Sequence, residues 1–222
     1  MLPLREKQPY IVGIGGFASN TGKTTLACDL LRALPGWEAI KVTRGHYRSC
    51  GKDAHTCCVS DMLRPEPVLR SGYKETFAKG KDTGHYWEAG ATNVHWLVVT
   101  DEQVEQGIKL ALTEVKAEGV IIEGTSFWEF LRPDFALLAA RATGGVIKAS
   151  ARRVGDSADG IYLGDAVDTE TGKFRVWLEN KQAVTLTFPA ALPYYTKRDL
   201  PALAARIKEE TETKCGIIQG EN

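Results

Sequence analysis

The chain alternates short runs of consecutive apolar residues with stretches whose apolar positions recur every three or four. Tyr10-Ile11-Val12-Gly13-Ile14-Gly15 is apolar, β-branched and ended by glycines, which predicts a buried strand. From Lys23 the period changes. Leu26, Leu30, Leu31 and Leu34 line one helical face, and Pro35-Gly36 stops it. Ala39-Ile40-Lys41-Val42, Val94 to Val99, Val120-Ile121-Ile122 and Phe135 to Ala140 read as further strands. A helix capped by Asp101 and ended by Gly119 turns Val104, Ile108, Ala111, Leu112 and Val115 inward. A last helix starting at Asp199 turns Leu200, Leu203, Ala204 and Ile207 inward. Val146-Ile147, Phe174 to Leu178 and Ala183 to Phe188 are also expected as strands, the last two near a sheet edge, with a turn-rich Asp156 to Gly172 before them. Strands alternating with helices predict an α/β fold, a mostly parallel sheet flanked by helices.

One stretch breaks the alternation. Residues 43 to 90 are polar and punctuated by glycines, and they hold Cys50, Cys57, Cys58, His46, His55 and His85. So long a segment with little periodicity inside a compact domain points to function. At 222 residues the chain is expected to be a single domain, 1–222, with an elaborated loop after the second strand and an inserted Cys/His-containing segment at about 43–81. Lys plus Arg and Asp plus Glu both number 28, so there is no excess positive charge to favour nucleic acid or an anionic membrane. No signal-like or membrane-spanning run is present, and five cysteines is an odd number in a chain too large to need disulfides. A cytoplasmic protein is expected.

The strongest chemical signal is Gly16-Phe17-Ala18-Ser19-Asn20-Thr21-Gly22-Lys23-Thr24-Thr25, between a predicted strand and a predicted helix. Successive backbone N–H groups in such a loop wrap a phosphate, and the helix N-terminus adds a partial positive charge. Ser19, Asn20, Thr21, Gly22, Lys23, Thr24 and Thr25 are the expected phosphate-binding residues. Lys23 supplies a point charge to the β- and γ-phosphates, and the Thr24 hydroxyl is suited to Mg²⁺. The loop is one residue longer between its first glycine and Gly22 than the standard spacing. A nucleotide site also needs a carboxylate near the metal, and Glu123, closing the strand Val120-Ile121-Ile122, is the leading candidate.

These residues resemble a family. The phosphate loop and Ile122-Glu123-Gly124 are similar to the signal-recognition/MinD/BioD class of P-loop NTPases, and the long spacing before Gly22-Lys23-Thr24 resembles that of dethiobiotin synthetase. Gly80-Lys81-Asp82-Thr83, then Glu88-Ala89-Gly90-Ala91, and Lys41 after the second strand resemble the molybdopterin-guanine dinucleotide biosynthesis adaptor family. Ala18 stands where deviant phosphate loops of the class carry a further lysine. The resemblance covers roughly residues 9 to 125. It implies a P-loop NTPase fold, binding of ATP or GTP with Mg²⁺, slow hydrolysis and a homodimer. It also implies that Asp82 and Thr83 approach the metal and γ-phosphate as a switch-like segment, so Lys23, Glu123 and Asp82 are the candidate catalytic residues, and Thr24, Glu123 and Asp82 the candidate Mg²⁺ ligands.

Weaker signals leave alternatives open. Cys50, Cys57 and Cys58 carry thiolates of the kind that bind Zn²⁺, though without a Cys-x-x-Cys pair. Thr196-Lys197-Arg198-Asp199 has the shape of a guanine-reading signature, yet Asp199 also serves as a helix cap. Lys148-Ala149-Ser150-Ala151 is placed to border the base. The function expected first is Mg²⁺-dependent binding and slow hydrolysis of a nucleoside triphosphate in an adaptor-like role, with a small-molecule or protein partner. An ATP-dependent small-molecule ligase or kinase, and a nucleotide-gated metal or cofactor carrier, are the alternatives.

Overall fold

The structure is a computed structural model that describes residues 8–45, 60–166, 170–185, 188–189 and 192–217. Eight strands form one sheet in the order β3-β4-β2-β5-β1-β6-β7-β8. At its centre lies β1 (Tyr10–Gly16), buried along its whole length and parallel to β5 (Gly119–Glu123) on one side and β6 (Phe135–Ala140) on the other. Beyond β5 come β2 (Glu38–Arg44) and β4 (Val94–Val99), both parallel. Beyond β6 come β7 (Gly160–Leu163) and the short β8 (Tyr194–Tyr195), parallel again. The edge strand β3 (Val68–Ser71) alone runs antiparallel, pairing Val68 with Val98 and Ser71 with His95.

The pleat divides the core in two. Tyr10, Val12 and Ile14 point to one face, where they meet α1 (Lys23–Ala33), α3 (Asp82–Glu88) and α7 (Leu200–Ile217) through Leu26, Leu30, Tyr86, Leu203 and Ile207. Ile11 and Phe17 point to the other. There α4 (Val104–Glu114), α5 (Ala149–Arg153) and α6 (Glu170–Thr185) contribute Val104, Ile108, Ala151, Phe174 and Leu178. The expected mostly parallel sheet flanked by helices is therefore the observed architecture. Strands β1, β2, β4, β5 and β6 and helices α1, α4 and α7 fall where the apolar periods placed them.

Several expectations are corrected. Phe174 to Leu178 and Ala183 to Thr185 belong to helix α6, and Phe188 lies outside any strand. Phe174, Trp177 and Leu178 repeat at three and four, and all three sit against the core, which is the helical and not the alternating pattern. Val146-Ile147 lies outside any strand, with Val146 exposed and Ile147 buried. The turn-rich stretch from Asp156 contains β7. Asp101 does not cap α4. Its carboxylate pairs with Arg44 at 2.9 Å, and the Gln103 side chain instead accepts from the Thr100 N–H at 3.0 Å. Helix α4 ends at Glu114, and Gly119 opens β5. The described part of the elaborated region, residues 60–81, is not a plain loop: it holds β3 and the one-turn α2 (Tyr73–Thr76).

One buried polar network fastens this edge. Glu38, only 3% exposed, accepts the N–H groups of Lys116 and Ala117 at 2.8 and 2.9 Å and pairs with His95 Nε2 at 2.8 Å. The other ring nitrogen of His95 meets Ser71 Oγ at 2.7 Å. Burial works against the Glu38 charge, but the His95 bond and the two backbone donors hold its pKa below the usual carboxylate range. The network lies at the N-terminal ends of β2 and β4.

The assignment of α6 is open to a direct test. Phe174→Ala is expected to cost about 3–5 kcal/mol, because it removes a fully buried ring from between Phe17, Trp177 and Tyr194. Arg175→Ala, on the solvent side, is expected to cost less than about 1 kcal/mol. Urea unfolding of both variants checks the contrast, and similar losses would contradict the helical phase.

Candidate nucleotide site

The site is built on the central strand. At the end of β1 the chain turns through residues 17–22 and enters α1, with Asn20 at φ 57° and Gly22 at φ 84°. The left-handed conformation at Gly22 strains any residue bearing a Cβ, so a glycine directly before Lys23 is a steric requirement. The loop is held from outside. Thr125 Oγ1 accepts the Gly16 N–H at 3.1 Å, the Ala139 carbonyl accepts the Phe17 N–H at 3.0 Å, and the Phe17 carbonyl accepts the Lys148 N–H at 2.8 Å. None of the backbone N–H groups of Ser19 through Thr25 donates to another described residue. They are the unspent donors of a helix N-terminus and the turn before it.

A cavity of about 530 Å³ opens over this loop, lined by Ser19 through Thr25 together with Lys41, Asp82 and Glu123. All the residues expected to bind phosphate or metal thus come together, except those of the Cys/His segment. Cys50, Cys57 and Cys58 lie outside the described residues. Among the described residues no group of three or more His, Cys, Asp or Glu side chains gathers around a point, and Cys28 and Cys215 are buried free thiols.

The register of the sheet explains the convergence. In the ladder Glu123 stands beside Ile14 of β1 on one side and Lys41 of β2 on the other. The hydroxyl of Thr24, in the first turn of α1, lies 2.9 Å from Glu123 Oε2 and 3.1 Å from Asp82 Oδ1. The remaining oxygens of the two acids, Glu123 Oε1 at 2.6 Å and Asp82 Oδ2, face Lys41 Nζ. Tyr86 donates its hydroxyl to Glu123 Oε2. Glu123 is 3% exposed, so every one of these partners matters.

Electrostatics follow from this enclosure. Burial works against the Lys41 ammonium, but the charges of Glu123 and Asp82 and hydrogen bonds to both outweigh it and raise its pKa. Burial likewise opposes the Asp82 carboxylate, while Lys41, Thr24 and Lys23 together bring its pKa below the usual value. Burial depresses Lys23, with Glu123 pulling the other way. Tyr86 is pushed well above the ordinary phenol by burial and then by the neighbouring carboxylates.

Asp82 opens helix α3, where a loop was expected. Gly84 explains part of this. It lies in the first turn of α3, and a Cβ there would come within 2.1 Å of the Ala78 carbonyl oxygen, so the chain folds tightly back on itself before the helix. Sequence reasoning passed over Tyr86. Its signal is its spacing: four residues after Asp82, it lies on the same face once 82–88 is read as a helix. Lys148 and Arg141 reach the loop from beyond β6. Lys148 Nζ lies 2.8 Å from Ser19 Oγ, and Arg141 Nε donates to the Asn20 carbonyl at 3.3 Å. In the Thr196-Lys197-Arg198-Asp199 stretch, Asp199 accepts from both the N–H and the hydroxyl of Thr196, at 2.7 and 2.9 Å. Thr196 is thus the cap and Asp199 the residue that closes the box.

No protein-family model matches this chain, and neither does any curated protein sequence. The structure superposes on HypB from Helicobacter pylori in complex with nickel with a TM-score of 0.51, covering 97% of this chain and 91% of that one at 14% identity. A Borrelia burgdorferi B31 protein solved with AMPPNP gives a TM-score of 0.39 over 97% of this chain and all of that one, at 10% identity. The pNOB8 ParA bound to nonspecific DNA gives 0.40 over 96% and 100% of the two chains, at 10% identity. The likeness to HypB is one of fold: a mostly parallel sheet flanked by helices. No helix among the described residues is long and apolar enough to cross a membrane.

Tyr86→Phe removes one hydrogen bond from a buried carboxylate and is expected to cost about 1–3 kcal/mol, read by urea unfolding. The depressed pKa of Asp82 gives a second expectation. Its contribution to stability is present above the unfolded value, about 3.9, and is lost as pH falls through the lower folded value. Asp82→Asn is therefore expected to flatten the acid limb of the unfolding midpoint against pH. An unchanged limb would show that the Lys41 contact contributes nothing in solution.

Proposed function

We propose that this chain binds a nucleoside triphosphate, ATP or GTP, together with Mg²⁺, and hydrolyses it slowly in an adaptor-like role in cofactor biosynthesis. The observation that carries the reading is the meeting of Thr24 Oγ1 with Glu123 and Asp82 at 2.9 and 3.1 Å, in the cavity floored by the phosphate loop. A hydroxyl and two carboxylates are hard oxygen donors, the set that suits Mg²⁺. Bound there, the metal supplies charge neutralisation to the transferring phosphate.

The chain's own residues do the rest. The free N–H groups of Ser19 through Thr25 cradle phosphate oxygens, and Lys23 offsets charge developing on the γ-phosphate. Thr24, Glu123 and Asp82 hold the metal, directly or through its water shell. Catalysis of this kind is positioning and electrostatics, with no covalent nucleophile. Asp82 begins α3, so the bound nucleotide can be felt along that helix and by the segment before it. The adaptor role and a homodimer rest on the likeness of the Gly80–Thr83 and Glu88–Ala91 stretches to the adaptor family, and a cytoplasmic location rests on the odd number of cysteines in a chain too large to need disulfides.

A second reading has an observation of its own. A cavity of about 400 Å³ adjoins the first and shares Thr24, Thr25 and Asp82 with it, adding Cys28, Arg32, His85 and Glu88. A small acceptor held there would sit beside the metal and the γ-phosphate, as a ligase or kinase requires. Phosphate release that rises on adding a mixture of small metabolites would favour this reading over slow unassisted hydrolysis.

Thermal unfolding against a panel of nucleotides, with Mg²⁺ or with chelator, tests the main reading. At about 100 times its Kd a ligand stabilises by roughly 2.7 kcal/mol. Lys23→Ala is expected to remove this stabilisation while the fold survives. Stabilisation that persists in the variant would falsify the phosphate-loop assignment. Glu123→Gln is expected to cut Mg²⁺-dependent turnover much more than nucleotide affinity, measured by phosphate release and by titration.

A further inference from the structure

The two acids of the site are each divided between two partners. Glu123 turns Oε2 to Thr24 and Oε1 to Lys41, and Asp82 turns Oδ1 to Thr24 and Oδ2 to Lys41. Two carboxylates this close repel each other strongly unless a cation stands between them. Lys41 is that cation. Its side chain is 18% exposed, so little water shares the task. Glu123 is fixed further by Tyr86 and is buried, whereas the Asp82 side chain is 41% exposed at the start of a short helix. One acid is therefore anchored and the other is placed to move.

We infer that Lys41 is a built-in counter-cation that closes the acid pair to free divalent metal and makes metal binding conditional on nucleotide. The inference rests on the reading of Thr24, Asp82 and Glu123 as the metal seat. A metal arriving alone meets a pair whose charge is already half neutralised, and to claim it fully it must drive the ammonium off both carboxylates. Lys41 would then be left without a partner in an enclosed position, which is costly. A triphosphate changes the balance. Lys41 lines the same cavity as the phosphate loop, so its ammonium can turn to a phosphate oxygen without leaving the cavity. The carboxylates are released to the metal in the same exchange. Metal and nucleotide thereby enter together, and loss of the phosphate returns Lys41 to the acids and expels the metal.

Mn²⁺ binding by the full chain, followed through the paramagnetic resonance signal of free Mn²⁺, tests this with and without a non-hydrolysable triphosphate. Wild type is expected to bind Mn²⁺ much more tightly with the triphosphate than without it. Lys41→Met keeps most of the side chain's length and removes the charge, and is expected to bind Mn²⁺ alone at least about tenfold more tightly than wild type. Lys41→Arg should behave as wild type. If Lys41→Met unfolds, Lys41→Gln, which can donate to both carboxylates without charge, carries the same expectation. A folded variant whose affinity for Mn²⁺ alone is equal to or weaker than that of wild type overturns the inference and leaves Lys41 as a mere clamp. A wild type that binds no Mn²⁺ even with triphosphate overturns instead the reading of the site itself.

Discussion

Two carboxylates held a hydrogen bond away from one threonine hydroxyl are the constraint on which this structure turns. Such a pair is unfavourable in an enclosed place unless cations and donors surround it. The fold supplies them from three elements. Lys41 rises from β2 beside Glu123 of β5, Thr24 comes from the first turn of α1, and Tyr86 comes from α3, as does Asp82 itself. Parallel strands place their C-terminal ends along one edge, so residues distant in sequence reach one point without any long excursion of the chain. The same edge carries the unspent N–H groups of the phosphate loop.

Around that point the charges are arranged in layers. Lys23, Lys41 and Lys148 with Arg141 form the positive side, suited to phosphate, and the acids form a narrow negative notch suited to a small hard cation. Lys148 reaches Ser19 of the phosphate loop from the connection after β6. The protein therefore brings a second cation to the loop from a different strand connection. The buried Glu38–His95–Ser71 network lies at the opposite ends of β2 and β4 and takes no part in this arrangement. Its role is to tie the antiparallel edge strand to the sheet.

Much of this is legible in the residues alone, and the failures have definable causes. β1, the phosphate loop and α1 are announced by an apolar run, glycines and a switch of period, each strong enough to stand without tertiary context. Glu123 is found because a carboxylate ends a buried strand. The motif points to Asp82 but not to its helix, because Gly80, Gly84 and Gly90 imitate a loop; Gly84 serves close backbone contact with Ala78 instead. Tyr86 is hidden for the same reason. The aromatic and β-branched residues of α6 carry strand propensity, while the three-and-four spacing of Phe174, Trp177 and Leu178 decides its fold. The partnership of Lys41 with both acids could not be read locally, since it depends on the register of two strands eighty residues apart.

The most direct test of the central claim is where a metal sits relative to named residues. With Mn²⁺ and a non-hydrolysable triphosphate bound to isotopically labelled protein, paramagnetic broadening falls steeply with distance from the ion. The account predicts that the amide signals of Thr24, Asp82 and Glu123 are broadened most, while those of Ser71 and His95 at the far end of the sheet remain sharp. Broadening centred on any other part of the chain, or none in the presence of bound triphosphate, would contradict it.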